Sequence, residues 1–307
     1  DFSSRILKPA VSVLASKVAY EVALAAASGF SNYVGTPGTT PSSFLTYTQA
    51  GERLDWMTAP RDGNRHVVLN PTAMAATADA QKGLFQAQSN IADQYRSGVV
   101  EQMTGFDFRM DQSIATITAG ARNTSYTTHG TEATVHTNGT AVIAVITGAN
   151  AMVAGDQFTI AGTYEVNPDT GNSTGILKVF TVAAPYAGGA GNVTVSQVLY
   201  YTGAYKNFVS TGTGGRLPAS TALTFVGTAS TAYARNLAFH RDSIVLATAD
   251  LEMPKNMDMA SRAQMDGVSM RFVRGFDVTN DNFISRLDVL MGIKVVRPEW
   301  GCVVYGA

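Results

Sequence analysis

An α+β fold carrying an inserted all-β, barrel-like domain is what this sequence predicts, and three observations predict it. Apolar residues recur at helical steps near the N-terminus, from Leu7 through Val11, Leu14, Val18 and Val22 to Ala25. Short β-branched runs, punctuated by Gly, Asn and Asp, fill residues 121–230. Strand-like runs then return after Pro254, with apolar and charged residues interleaved.

The N-terminal stripe lies on one face of an amphipathic helix, read as a core helix that stops at Gly29. Lys17 and Glu21 stand four apart on another face, where an exposed ion pair contributes only ~0.3–0.5 kcal/mol. Gly35 to Pro41 reads as a loop, with Thr40 as cap and Pro41 as first-turn proline of a second helix over Ser42–Met57. Arg61-Asp62-Gly63-Asn64 is a turn, His66–Leu69 a short strand, and Asn70-Pro71 caps a third helix to about Leu84. After a short helix near Ile91–Arg96, a strand, a turn at Gly105 and a second strand put Phe106 and Phe108 on one face.

Residues 121–230 hold only eight of the 45 charged residues: Arg122, Glu132, Asp156, Glu165, Asp169, Lys178, Lys206 and Arg216. The strand-like runs are Ala141–Thr147, Gln157–Ala161, Leu177–Ala183, Val193–Tyr201 and Ala222–Val226, a spacing that suggests a small barrel or sandwich. Ala154-Gly155-Asp156 and Asp169-Thr170-Gly171-Asn172 both fit hairpins. An inserted domain should start and end at neighbouring points, here near Ala121 and Ala229.

Arg235–Pro254 is the return from this region. Ile244-Val245-Leu246-Ala247 reads as a strand buried on both faces, with His240-Arg241-Asp242 as an ion-paired end at the sheet's rim. Pro254 lacks the N–H that further pairing needs. Met270, Phe272, Phe276 and Val278 alternate with Arg271 and Asp277, although Arg274 breaks the apolar face. Phe283–Val296 is the second such run, ended by Arg297–Trp300. These late strands are expected to pair with one another and to pack on the first helix.

Composition narrows the function. Charged residues make up 15% and apolar residues 45%, which suits surfaces covered by something other than water. A net charge of −1 leaves no electrostatic footprint for tight nucleic-acid binding. Cys302 is the only cysteine, so no intrachain disulfide can form. No uninterrupted run of 18 apolar residues occurs, so a transmembrane helix is not expected. The chain enters its helical pattern almost at once, and residues preceding Asp1 are expected, either cleaved or lying outside this sequence.

No catalytic, cofactor-binding or metal residues are assigned. His66, His129, His136 and His240 are scattered, His129 and His136 lack a Cys or carboxylate partner at metal-ligand spacing, and His240-Arg241-Asp242 has no nucleophile to serve. Gly212-Thr213-Gly214-Gly215-Arg216 lacks the Lys-Ser/Thr of a phosphate loop, and Gly188–Gly191 reads as a loop tip. Asn123, Asn138, Asn172 and Asn192 open Asn-x-Ser/Thr triplets, which arise by chance where Asn and Thr abound.

Four groups of residues then carry a resemblance: Val68-Leu69-Asn70-Pro71; Tyr95-Arg96-x-Gly98-Val99 with Gly105-Phe106-Asp107; Asn236–Asp242; and Leu287-Asp288-Val289-Leu290-x-Gly292 with Val296-Arg297-Pro298-Glu299. In this order, around a β-rich insert, the chain resembles the major capsid (coat) proteins of tailed bacteriophages, in the short-tailed-phage branch with an extra domain. The resemblance covers Asp1–Gly120 and Ala232–Trp300, and the insert in placement only. It implies a Hong Kong 97-type capsid fold: a spine helix at 1–30, similar over Ser3–Ser28, and an axial domain at 31–120 that resumes at 231–260. The inserted β domain would be 121–230, and 261–307 would supply peripheral-domain strands and the C-terminus. The family's N-terminal arm and extended loop would precede these residues. No enzyme activity or cofactor is implied, and the Lys–Asn crosslink of some relatives finds no match. The resemblance implies an icosahedral shell of hexameric and pentameric capsomers, built in the host cytoplasm and carried in the virion. Scaffolding protein, portal and a decoration protein would be partners, with packaged DNA held inside without sequence-specific binding and no membrane. The alternative reading is a secreted or surface β-rich adhesin.

Overall fold

The computed structural model describes residues 5, 8–81, 100, 102–122, 125–255, 257–265 and 268–306. Two compact units divide the chain: Asp1–Val22 with Ile244–Lys294, and Ala23–Ser243 with Val295–Ala307. The first helix, α1 (Lys8–Gly29), contributes to both.

The second unit is built on a six-stranded sheet. Its strands are β1 (Asn32–Val34), β2 (Arg65–Leu69), β3 (Gln102–Met103), β4 (Phe106–Met110), β14 (Asn236–His240) and β19 (Gly301–Val304), in the order β1-β19-β14-β2-β4-β3. The β1–β19 and β2–β4 pairs are parallel, and β14 runs antiparallel to both of its neighbours. Burial follows place in the sheet: all four residues of β19 are buried, as are all but one of β14. Helix α2 (Phe44–Trp56) lays Tyr47, Ala50 and Leu54 into the same core, with the Tyr47 ring edge-on to Phe108 at 5.0 Å. Its cap is Ser43, whose Oγ accepts from Leu45 N at 3.2 Å, and not the expected Thr40-Pro41. A serine two residues before the first turn's N–H groups satisfies them better than a threonine further upstream. Helix α3 (Pro71–Gln81) opens as read, with Asn70 Oδ1 accepting from Ala73 N at 2.8 Å. The expected extension to Leu84 and the helix near Ile91–Arg96 lie outside the described residues. Thr104 (φ 54°) and Gly105 (φ 80°) make the left-handed two-residue turn between β3 and β4.

Cys302 faces the core of β19 and is fully buried, which pushes its thiol up to about 12. It should therefore resist alkylation at pH 8 in the folded chain and react once denaturant exposes it. Rapid labelling of the native chain, read by mass, would contradict its place in the sheet.

Between residues 121 and 230 run β6 (Thr127–Thr128), α4 (Glu132–Val135), β7 (Thr140–Ile146), β8 (Gln157–Val166), β9 (Ser173–Thr181), β10 (Gly191–Leu199), β11 (Phe208–Ser210) and β12 (Leu223–Phe225). One sheet has the order β10-β7-β6. In the other, β8 pairs with β11, β12 and β9. Tyr126, Ile143, Phe158, Phe180, Phe208 and Leu223 belong to one core cluster there. Entry and exit run side by side: β5 (Thr116–Thr118) pairs with β13 (Ala232–Ala234), and Ser230 N donates to Gly120 O at 3.1 Å.

The first unit holds a four-stranded sheet, β15 (Ile244–Ala249), β16 (Met259–Met265), β17 (Val268–Asp277) and β18 (Asn282–Val295), in the order β15-β18-β17-β16. The expected pairing of the two late runs is the β17–β18 hairpin. Two expectations need correction. Ile244–Ala247 is a strand but not a buried one: Val245 and Leu246 are 48% and 40% exposed, because β15 is an edge strand. The buried strand of this stretch is β14, just before it. The α1 stripe is only partly inside: Val11 is exposed, Leu14, Val22 and Ala25 are half-buried, and Val18 is buried. By length and composition α1 could also cross a membrane, with a mean hydropathy of 1.5, although Lys17 and Glu21 interrupt it and pair at 2.7 Å.

Candidate functional site: a buried polar seam and exposed apolar strands

Half of the eight charges in residues 121–230 lie inside the second unit. Arg122 and Asp156 are 2% and 1% exposed at the side chain, and meet at 3.1 Å. The Asp156 carboxylate also accepts Gly120 N at 3.2 Å and Val153 N at 3.0 Å. Arg122 donates to Val226 O at 3.0 Å and lies 4.6 Å over the Phe225 ring. Desolvation pulls the Arg122 guanidinium below its usual value, opposed by Asp156. Glu165 and Lys178 are the other buried pair: burial pushes the carboxyl up and the ammonium down, and each opposes the other's shift.

These groups join the β-rich residues to the six-stranded sheet and the end of α1. Arg235 Nη1 donates to Ala27 O at 2.9 Å and Gly155 O at 2.6 Å. Phe30 O accepts from Gln157 Nε2 at 3.2 Å and Thr181 Oγ1 at 2.8 Å. Lys178 Nζ donates to Gln197 Oε1 at 3.0 Å, and Gln197 Nε2 reaches Ser31 Oγ at 3.1 Å and Glu299 Oε2 at 3.3 Å. Arg53 stands 3.8 Å from Glu165, and Asn167 Nδ2 donates to Trp56 O at 3.0 Å. Polar links of this kind are satisfied in one arrangement only, so they fix the register of the two parts. Spacing along the chain could not reveal them.

The residues singled out for chemistry have structural partners. His240 is buried, with Nε2 3.1 Å from Asp62 Oδ1 and Nδ1 accepting from Asp242 N at 3.2 Å, so its carboxylate partner comes from the turn before β2. Asn64 side-chain and backbone donors, helped by His240, hold Asp62 well below the usual carboxylate range. His66 Nδ1 lies 3.3 Å from Asp107, and His129 Nδ1 accepts from Thr131 N. Both His136 ring nitrogens face carbonyls, Val142 O and Leu199 O, at 2.9 Å. Thr213 N in the glycine-rich stretch is taken by Glu132 Oε2 at 2.9 Å. Asn138 Oδ1 accepts from Tyr201 N at 2.9 Å, Asn172 and Asn192 are exposed, and Asn123 lies outside the described residues.

The first unit presents a different chemistry. Residues 282–286 at the start of β18 are all exposed. Successive strand residues point to opposite faces, so both faces of the sheet meet solvent there. Phe276 and Phe283 meet across the hairpin at 5.1 Å with their rings tilted, and Arg274 lies 4.3 Å over the Phe283 ring. Each is about half exposed, as are Ile284 and Leu290. Large apolar side chains repeated along an uncovered sheet mark a surface for association.

The match to known proteins agrees with that chemistry. The family model described as P22 coat protein, gene protein 5, matches residues 1–306, while no curated protein matches the chain. The match carries the shell reading over the adhesin one. The chain belongs to the P22 coat protein family and is a major capsid protein, the repeating structural unit of a phage shell.

Proposed function

We propose that this coat protein builds its shell with a Hong Kong 97-type fold: α1 as spine, the six-stranded sheet as axial domain, and the β15–β18 sheet in the peripheral domain. Residues 121–230 would be the inserted, β-rich domain, tied down by the polar seam. The observation that carries the reading is the uncovered apolar sheet of the first unit, with exposed residues on both faces at the start of β18. One chain leaves that surface in water, whereas identical neighbours in hexameric and pentameric capsomers would cover it. A single contact of ~4 kcal/mol holds only millimolar partners, but closure of a shell multiplies it.

Scaffolding protein, portal and a decoration protein are the proposed further partners. Assembly would take place in the host cytoplasm, with no enzymatic step by this chain. A net charge of −1 suits an inner wall that encloses DNA without gripping a sequence. Electron microscopy of the chain co-expressed with its scaffolding partner should show closed shells of uniform size. Monomers alone under those conditions would sink the proposal.

A further inference from the structure

Lys178 and Gln197 stand where the two sheets of the β-rich residues meet. Lys178 lies on β9, in the sheet built around β8, and Gln197 on β10, in the sheet with β7. The Val182–Val195 bridge, with Ala183 N donating to Thr194 O at 2.9 Å, holds β10 beside the end of β9. Lys178 is 4% exposed. A buried ammonium ordinarily meets a carboxylate, but its Nζ meets a carboxamide, Gln197 Oε1, at 3.0 Å.

The far side of that carboxamide is held as well. Gln197 Nε2 donates to Ser31 Oγ at 3.1 Å and to Glu299 Oε2 at 3.3 Å. An amine therefore faces the amide's oxygen, and a carboxylate faces its nitrogen. Burial pushes Lys178 down toward the neutral amine, the form that attacks carbonyl carbon, while Glu165 and Glu299 oppose it. Burial also pushes the Glu165 carboxyl up toward its neutral acid, which weakens its hold on the ammonium. Nucleophile, electrophile and proton carrier thus share one hydrogen-bonded chain.

We propose that Lys178 and Gln197 join through an amide bond within one chain, stapling β9 to β10 across the two sheets. Nζ of the neutral lysine adds to Gln197 Cδ, the Cδ–Nε2 bond breaks, and its electron pair leaves on Nε2 as ammonia. The proton that Nζ gives up passes to Nε2 by way of Glu299 Oε2, which touches the departing nitrogen. No atom is oxidised or reduced, so no co-reactant is consumed. The staple does for this chain what a disulfide cannot, since Cys302 has no partner cysteine. It is independent of the shell reading, and either can fail without the other.

The test takes full chain before and after particle assembly, denatures it, cuts it with trypsin and then chymotrypsin, and reads the peptides by mass. Trypsin should fail to cut after Lys178. The peptides holding Lys178 and Gln197 should stay joined after cuts at Phe180 and Tyr186, one ammonia lighter than their sum. Separate peptides of unchanged mass in both samples would overturn the bond. Gln197→Leu removes the electrophile, so its peptides should separate; a surviving link would place the bond elsewhere and overturn the assignment. Glu299→Gln keeps the shape but cannot carry the proton, so joined peptides should accumulate about a hundredfold more slowly. An unchanged rate would remove Glu299 from the reaction. Where a variant does not fold, the peptides of the unsubstituted chain decide alone.

Discussion

Asp156→Ala should destabilise the second unit by about 3–5 kcal/mol, the usual effect of removing one partner from a buried ion pair. Arg122 would keep its charge at a site where desolvation already works against it, with Arg235 adding repulsion and Asp156 the carboxylate that opposes both. Gly120 N and Val153 N would lose their acceptor in the same step. Denaturant unfolding of the unassembled chain should show the midpoint fall. A shift of less than ~1 kcal/mol would mean the pair is already hydrated.

A paired substitution separates charge from shape. Arg122→Met with Asp156→Leu removes both charges and keeps apolar volume, and should recover much of the loss. If the double variant is as unstable as Asp156→Ala, the backbone donors Gly120 N and Val153 N matter more than the ion pair. Either way the effect should reach assembly, because Gly120 and Arg122 stand where the chain enters the β-rich residues and Asp156 immediately precedes β8. Particle yield should fall with the unfolding midpoint, without any change at an exposed surface.

Turn chemistry and periodicity made much of this fold legible. The Asp169–Asn172 turn joins β8 to β9, Gly105 turns β3 into β4, and the five β-branched runs are strands. Those signals are local, and local geometry decides them. Burial was less legible. Ile244–Ala247 and Asn236–Phe239 are short runs of similar look, yet only the second has strands on both sides. β19 carried no signal at all: Gly-Cys-Val-Val is four residues long and follows a 3₁₀ turn at Pro298–Trp300. The seam was illegible for another reason. Arg122 and Asp156 lie 34 positions apart and His240 and Asp62 178 apart, and isolated charges are normally solvated. The low charge of residues 121–230 was itself a clue, since so few charges could be spent on pairs that fix the register of the core. The apolar association surface was foreshadowed more directly, by 45% apolar and 15% charged residues.

Gly301→Ala should be as damaging as many core truncations, though it adds a single methyl group. A Cβ at residue 301 would overlap Phe30 Cδ1 and Cε1, well inside van der Waals contact. Neither side can move cheaply. Gly301 is paired with Phe239 in the sheet, and the fully buried Phe30 ring packs 6.0 Å from the Phe239 ring. Overpacking of this kind costs about 1–3 kcal/mol, and more where the backbone must give way. The strain would travel, because Phe30 O holds Gln157 at the start of β8 and Thr181 at the end of β9. Phe30→Ala alone should cost about 3–5 kcal/mol through the cavity it leaves. Added to Gly301→Ala it makes room for the new methyl group, so the double variant should be more stable than the sum by at least ~1 kcal/mol. Additive losses in the unfolding midpoints would show that strand β19 shifts instead, and that Phe30 is not the point where α1, the central sheet and the β-rich residues are pinned together.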